Sequence, residues 1–308
     1  MVSEIDWGTL LTKAKEGECV PFIGAAACRD VLPSAAALSE ALLLEDESLT
    51  GRPCLLAKRD DLGKAAQYLA VTHKDGKYPK LKIRDHLSGI PWPAARIDDD
   101  PHHALAALNL PLYLTTNYDD YMPLALKQRS GVKEVEREIC RWNSDLLANV
   151  PSAFDKGYQP ARDHPAVFHL HGRLDRPESM VASEDDYLDF LVGMAKGLAF
   201  SPKKKREPAM LPLAIRNALA NHTLLFVGYG LGDVNFKVIL RGLATSLKSN
   251  ESYSVTVQFE DKPEKMGATR EYLEEYFQWV MKLDVFWGSA QQFAVTLHQK
   301  LGFGSGHV

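Results

Sequence analysis

The residues best suited to chemistry fall in four short stretches. In the first, an apolar segment from Leu112 to Leu114 runs into Thr115, Thr116, Asn117, Tyr118 and Asp119. The Asn117 amide donates and accepts but does not titrate. It suits the orienting of a water or a sugar hydroxyl, not strong base catalysis. In the second, Ala166 to Leu170 is followed by His171 and Gly172. An imidazole near its ordinary pKa takes up a proton at neutral pH, and His169 lies two residues back on the same face of the strand. The third is Gly24, Ala25, Ala26, Ala27 and Cys28, after a hydrophobic segment. Small residues there let backbone approach a ligand, and a helix start can hold phosphate. The fourth is Gly228, Tyr229, Gly230, Leu231, Gly232, Asp233, Val234 and Asn235, after the apolar run Thr223 to Val227. This suits backbone contact with a nucleotide. It is not the G-x-G-x-x-G fingerprint and does not follow the first strand. Each stretch alone has a plainer reading: Thr116, Asn117 and Asp119 as helix caps, and Gly24 as the start of a tight turn.

The elements that position these stretches read as alternating strands and helices. A leading helix over 4–17 precedes a strand at 18–23, in which Pro21 points to an edge or early position. Ser34 is an N-cap for a helix over 35–44. Helices over 60–71 and 79–88 alternate with turn-rich segments, so 45–105 reads as a helical insertion. Asp98, Asp99 and Asp100 read as an exposed turn before a helix over 102–109, with His102 and His103 as helix-start residues and not ligands. After the strand at 112–116 come a helix to about Arg129, an alternating strand within 132–140, an irregular segment over 141–164 and a strand at 166–170. Residues 174–208 read as a lid or second insertion, with a capped helix start at Ser183 and a solvated basic run at Lys203 to Arg206. An amphipathic helix over 211–220 precedes the continuous apolar strand 223–227, the mark of a central parallel strand. A helix over 236–247, strands at 253–259 and 280–286, a helix over 264–278 between them and a last helix over 289–301 complete the chain.

Bulk properties narrow the class. The 308 residues suffice for one large domain with an inserted subdomain. A net charge of −4 gives no basic footprint, so nucleic acid is not expected as the primary ligand. The start lacks a basic region followed by an apolar one, so no secretory signal is expected, and no apolar run is long enough to cross a membrane. Cys19, Cys28, Cys54 and Cys140 form no C-x-x-C pair, so no zinc is expected, and reduced thiols in the cytoplasm are.

Taken together, Phe22–Ala26, Leu114–Asp119, Leu170–Gly172 and Phe226–Asn235 resemble the SIR2-like (sirtuin-fold) family, in its prokaryotic antiphage-defence branch of NAD-consuming enzymes. The resemblance spans about 20–260. It implies an α/β fold, a Rossmann-like parallel sheet flanked by helices with a smaller helical inserted subdomain, the whole of 1–308 being one SIR2-like domain. It also implies NAD in the cleft. Gly24, Ala25 and Ala26 would then lie under the pyrophosphate, and Thr116 would be a further NAD-binding residue. Asn117 and Asp119 would face the nicotinamide ribose, and His171 would be the catalytic histidine. Gly228 and Asn235 would line the adenosine side, with Asp233 starting the next helix, and Tyr229, Gly230 and Asp233 would count among the NAD-binding residues.

Two departures stand out. Ala26 replaces the usual second glycine of the first loop, and Cys28 occupies the usual serine position. The chain also lacks the paired cysteines of the zinc module common in protein-deacylating sirtuins. The expected activity is hydrolysis of NAD+ to nicotinamide and ADP-ribose. The alternatives are an NAD or ADP-ribose sensor without turnover and an NAD-dependent deacylase. The resemblance further implies control through a homo-oligomer or a separate partner such as a HerA-like hexameric ATPase.

Overall fold

A computed structural model describes residues 5–46, 49, 60–92, 99–199, 209–230, 254–258, 267–280 and 283–302. The expected helix over 236–247, the run Lys203 to Arg206, Asp98, Asp233 and Asn235 lie outside the described residues.

Seven short strands form the centre: β1 (Cys19–Ile23), β2 (Leu112–Thr115), β3 (Glu136–Ile139), β4 (Ala166–His169), β5 (Thr223–Val227), β6 (Ser254–Gln258) and β7 (Leu283–Trp287). They lie in the order β3-β4-β2-β1-β5-β6-β7, and every pairing is parallel. All residues of β1, β2, β4 and β5 are buried. This is why these strands read as apolar runs: both faces of a parallel sheet are covered by helices.

Alternation along each strand divides the core. Val20, Phe22, Leu114, Phe168 and Phe226 pack on one face, with Phe190 of α8 (Glu184–Ala199) and Ile215 of α9 (Leu213–Asn221). Ile23, Tyr113, Val167, Leu225 and Val227 pack on the other. There they meet Leu10 of α1 (Trp7–Glu16), Leu105 of α5 (Pro101–Ala107), Met122 of α6 (Tyr121–Gln128) and Phe293 of α11 (Ala290–Lys300). A third cluster lies among helices alone: Leu38 and Leu42 of α2 (Ala35–Leu44), Leu69 of α3 (Leu62–His73) and Ile83 of α4 (Tyr78–Ser88), with Met180 and Ala182. The Gln67 amide donates to Asp185 at 2.8 Å, and Lys80 pairs with Asp186 at 2.9 Å, so the start of α8 is tied to these helices. Among the described residues no helix is long and apolar enough to cross a membrane.

Several local expectations are met by side-chain caps. The Ser34 hydroxyl accepts from Ala37 N at 3.1 Å, and Ser289 and Gln292 form a reciprocal capping box on α11. Others need correction. Pro21 does not mark an edge, because β1 sits between β2 and β5. By alternation its missing N–H falls on the β2 side, where pairing begins only at Phe22, so no ladder bond is lost. Residues 141–164 are not wholly irregular: α7 (Ser144–Asn149) is capped by Asn143, whose carbonyl accepts from Leu146 N at 2.8 Å. Asp100 is not in an exposed turn. It is buried and caps α5. The segment 267–280 begins as α10 (Gly267–Glu275) and ends in a π turn (Tyr276–Val280).

Candidate active site

The four strand-end stretches come together because β4, β2, β1 and β5 are neighbours and point the same way. The chain leaves β1 for β2 on one side and returns to β5 on the other. Ligands of open α/β sheets bind outside the carboxyl ends at such a reversal.

The β1 and β5 ends meet backbone to backbone. Gly24 N donates to Val227 O at 2.8 Å, and Ala26 N donates to Gly228 O at 2.9 Å. A Cβ on Gly24 would lie 2.6 Å from Gly228 O, and Gly228 has φ +86°. Both positions require glycine for that contact. Ala25 to Cys28 make one 3-10 turn, with Ala25 exposed and Ala26 half-buried. The Ala26 N–H is therefore committed within the loop. Tyr229 is buried and donates its hydroxyl to Ile23 O at 3.1 Å, with Thr116 Oγ1 3.0 Å away. Gly230 is exposed, with no atom of the described residues within 4 Å of a Cβ built on it.

Asn117 is the hub of the β2 end. Its backbone N–H donates to Thr115 Oγ1 at 3.0 Å, and its Nδ2 donates to Gly24 O and to Cys28 Sγ, both at 3.3 Å. Tyr118 donates its hydroxyl to Val181 O at 2.6 Å, anchoring the loop to the segment before α8. Asp119 accepts from Tyr121 N at 2.9 Å, an Asx-type turn one residue ahead of Asp120, which is the N-cap of α6. Its carboxyl is buried, and burial pushes its pKa up.

The β4 end is dry. His171 is buried, its ring edge-on to Tyr187 and Phe190 with centroids 5.4 and 4.9 Å away. Burial pushes its pKa down to about 3. His169 is likewise at about 3, through burial first and the charge of Arg173 second. Its Nδ1 donates to Asn117 O at 3.2 Å, which leaves Nε2 as the bare acceptor. The Nε2 atoms of His169 and His171 are both buried without a hydrogen-bond partner among the described residues. Gly172 has φ +82°, and a Cβ there would strike the Ser179 carbonyl.

The sequence reading did not connect a further group to this edge. His102 is buried at the start of α5, with Nε2 3.7 Å from Cys28 Sγ. Cys28 Sγ donates to Asp119 Oδ2 at 3.6 Å. Burial, then the Asp119 charge, raises the Cys28 thiol well above its ordinary pKa. Asp100 Oδ1 holds His102 Nδ1 at 2.9 Å, and its Oδ2 holds His103 Nδ1 at 2.6 Å. Burial opposes charge on Asp100, but the two histidines outweigh it and hold the carboxyl well below its usual range. The one sequence signal was an aspartate two residues before a histidine, which reads equally as a cap.

A SIR2-like domain model matches residues 111–278, more than half of the chain. The chain belongs to the SIR2-like domain family. Its matched region holds the β2, β4 and β5 ends; β1 and its loop precede it. The chain is 25% identical over 220 residues to a protein named NAD(+) hydrolase ThsA of Bacillus cereus (strain MSX-D12), covering 70% of this chain and 39% of that protein. It is 26% identical over 143 residues to Defense-associated sirtuin 2 of Bacillus subtilis, covering 45% of this chain and 11% of that protein. A ThsA of Acinetobacter baumannii (strain 532279) is 24% identical over 194 residues, covering 63% of this chain and 33% of that protein. The chain thus spans well under half the length of these relatives. The chain is similar, at low identity, to proteins named for NAD+ hydrolysis and to one named for defence.

Proposed function

We propose that this protein hydrolyses NAD+ to nicotinamide and ADP-ribose and so depletes NAD in the cytoplasm during antiphage defence. The observation that best supports this is the gathering of four polar or glycine-rich strand ends at one reversal of strand order. In this reading Gly24, Ala25 and Ala26 meet the pyrophosphate side. Gly228 meets the adenosine side, with Asn235 assigned there from the sequence alone, and Thr116, Tyr229, Gly230 and Asp233 are further NAD-binding residues.

The glycosidic C–N bond breaks with its electron pair leaving on nicotinamide. That group departs neutral, so no acid is needed. The ribose carbon takes on oxocarbenium character, and water adds to it. One NAD+ and one water give nicotinamide, ADP-ribose and a proton. His171 is the group assigned to accept that proton in this reading. The sequence expectation of an ordinary imidazole is corrected: burial lowers its pKa to about 3, which keeps the ring neutral but makes it a weak base, so the role requires bound substrate to raise its basicity. Asn117 is pinned through Nδ2 and offers its Oδ1 to the water or a ribose hydroxyl. Asp119 acts as a positioning residue through the Tyr121 N–H.

A second reading, sensing of NAD or ADP-ribose without turnover, rests on the first loop. There an alanine replaces the usual glycine, and its N–H is already bonded to Gly228 O. Incubation with NAD+, with products resolved by chromatography, separates the two. Nicotinamide and ADP-ribose should appear with the wild type and not with His171→Ala or Asn117→Ala. Binding without products supports the sensor, and full activity in His171→Ala removes the assigned base. Regulation through a homo-oligomer or a HerA-like ATPase is part of the proposal; a monomer on sizing, alone and mixed with such an ATPase, would count against it.

A further inference from the structure

We propose that Cys28, His102 and Asp119 form a binding site for a divalent transition metal of the zinc type. The three come from different elements: the turn after β1, the start of α5 and the loop after β2. One donor atom from each lies within 4.8 Å of the others, and all three residues are buried. The spacing fits one ion. With Zn–S of about 2.3 Å and Zn–N or Zn–O of about 2.0–2.1 Å, a tetrahedral angle sets sulfur about 3.6 Å from the second donor. The observed separations are 3.7 Å from Cys28 Sγ to His102 Nε2 and 3.6 Å from Cys28 Sγ to Asp119 Oδ2.

The donor set also selects the ion. A thiolate and an imidazole disfavour magnesium and calcium, which take oxygen ligands. Three protein ligands leave a fourth position for water, the pattern of an open zinc site.

Outer contacts already hold each ligand in place. Asp100 Oδ1 accepts from His102 Nδ1 at 2.9 Å, which turns Nε2 toward the sulfur as an unprotonated donor atom. A carboxylate behind a histidine ligand is a regular feature of zinc sites. The Asn117 amide donates to Cys28 Sγ at 3.3 Å, a bond suited to a thiolate. Tyr121 N occupies Asp119 Oδ1 at 2.9 Å and leaves Oδ2 to the cluster. On binding, the metal replaces the thiol proton of Cys28, which passes to solvent. No paired-cysteine motif is involved, so the site is separate from any zinc module that sequence spacing reveals. It also touches the proposed NAD site through Asn117, so a bound ion would fix that amide.

The test is titration of the full chain with Co2+ and with Zn2+, without NAD+. One equivalent of each should bind, and Co2+ should give a thiolate-to-cobalt charge-transfer absorption. Cys28→Ser, close in shape, should abolish the absorption. Asp100→Asn should weaken Co2+ binding by about 10- to 100-fold. Circular dichroism checks that each variant folds; if Asp100→Asn does not, Cys28→Ser decides. A folded wild-type chain that takes up no stoichiometric metal overturns the proposal, leaving thiol, imidazole and carboxyl as a hydrogen-bonded cluster. An absorption that survives in Cys28→Ser overturns it too, since Cys19, Cys54 or Cys140 would then hold the ion. The readout involves no NAD turnover, so this proposal and the hydrolase reading fail independently.

Discussion

Two pairs of histidines sit at the carboxyl edge of the sheet, and the same side chain has opposite properties in each. His102 and His103 share one carboxylate, Asp100, through their Nδ1 atoms, and each Nε2 also has a neighbour, Cys28 or Gln128. Burial lowers the pKa of His103, but its bonds to Asp100 and Gln128 more than offset this and raise it. Among the described residues no carboxylate bonds His169 or His171, and burial drives both to about 3. Each keeps a buried nitrogen without a partner among the described residues. An unpaired buried polar atom costs free energy. The first pair shares a carboxylate; the second leaves one nitrogen of each ring without a partner among the described residues.

The largest expected effects fall on the incomplete pair and its hub. Under the hydrolase reading, His171→Ala or Asn117→Ala should lower NAD+ consumption by about 10²- to 10⁴-fold, the usual worth of a positioned base. His102→Gln, on the other pair, should lower it far less. Equal losses would erase the distinction. Next is Gly228→Ala, which adds a methyl at φ +86° against Ala27 N and Gly24 O. It should cost about 3 kcal/mol of stability, read from chemical denaturation, because strain and backbone collision add.

The contrast between the pairs was only partly visible in the chain. All seven described strands lie within or overlap the segments read as strands: β1, β2, β4 and β5 stood out because strands covered on both faces cannot hide their composition, and β3 and β6 by their alternation. The polar strand ends Thr115 to Asp119 and His171 were legible for the same reason, standing out against such runs. Strand order was not legible: β4 lies between β2 and β3, and nothing local in Val132 to Cys140 says so. The Cys28 cluster was not legible either, since its contacts join residues 74 and 91 positions apart. Nor was the burial of His171. Tyr187 and Phe190, which enclose it, arrive from α8.

Acid should separate the pairs more gently. His169 and His171 carry folded pKa values of about 3 against about 6.5 unfolded. The unfolded chain therefore binds more protons below 6.5, and the stability present above that pH is lost as pH falls toward 3. Between pH 7 and 5.5 each should remove about 1 kcal/mol. His103, whose pKa is raised, works with the opposite sign: its contribution is present below 6.5 and fades as pH rises. Thermal or urea unfolding at the two pH values should show His171→Asn less acid-sensitive than wild type. An unchanged pH dependence would mean that His171 titrates normally. Under the same reading the rate of NAD+ loss should change by less than about threefold between pH 8 and 6, because a base with a low pKa is already deprotonated.

The smallest expected effect tests whether the β1, β2 and β5 ends act as one piece. Tyr229 reaches from β5 with its hydroxyl donating to Ile23 O at 3.1 Å and lying 3.0 Å from Thr116 Oγ1. Tyr229→Phe keeps the ring against Phe22 and Phe226 and removes these hydroxyl bonds. The loss should be about 1 kcal/mol, the net worth of a buried hydrogen bond with one partner left wanting. Thr116→Val should cost a similar amount. The double variant should cost less than the sum of the two, because both remove the same Thr116–Tyr229 contact. Strict additivity would show that the β2 and β5 ends are held independently, each by its own backbone bonds to β1.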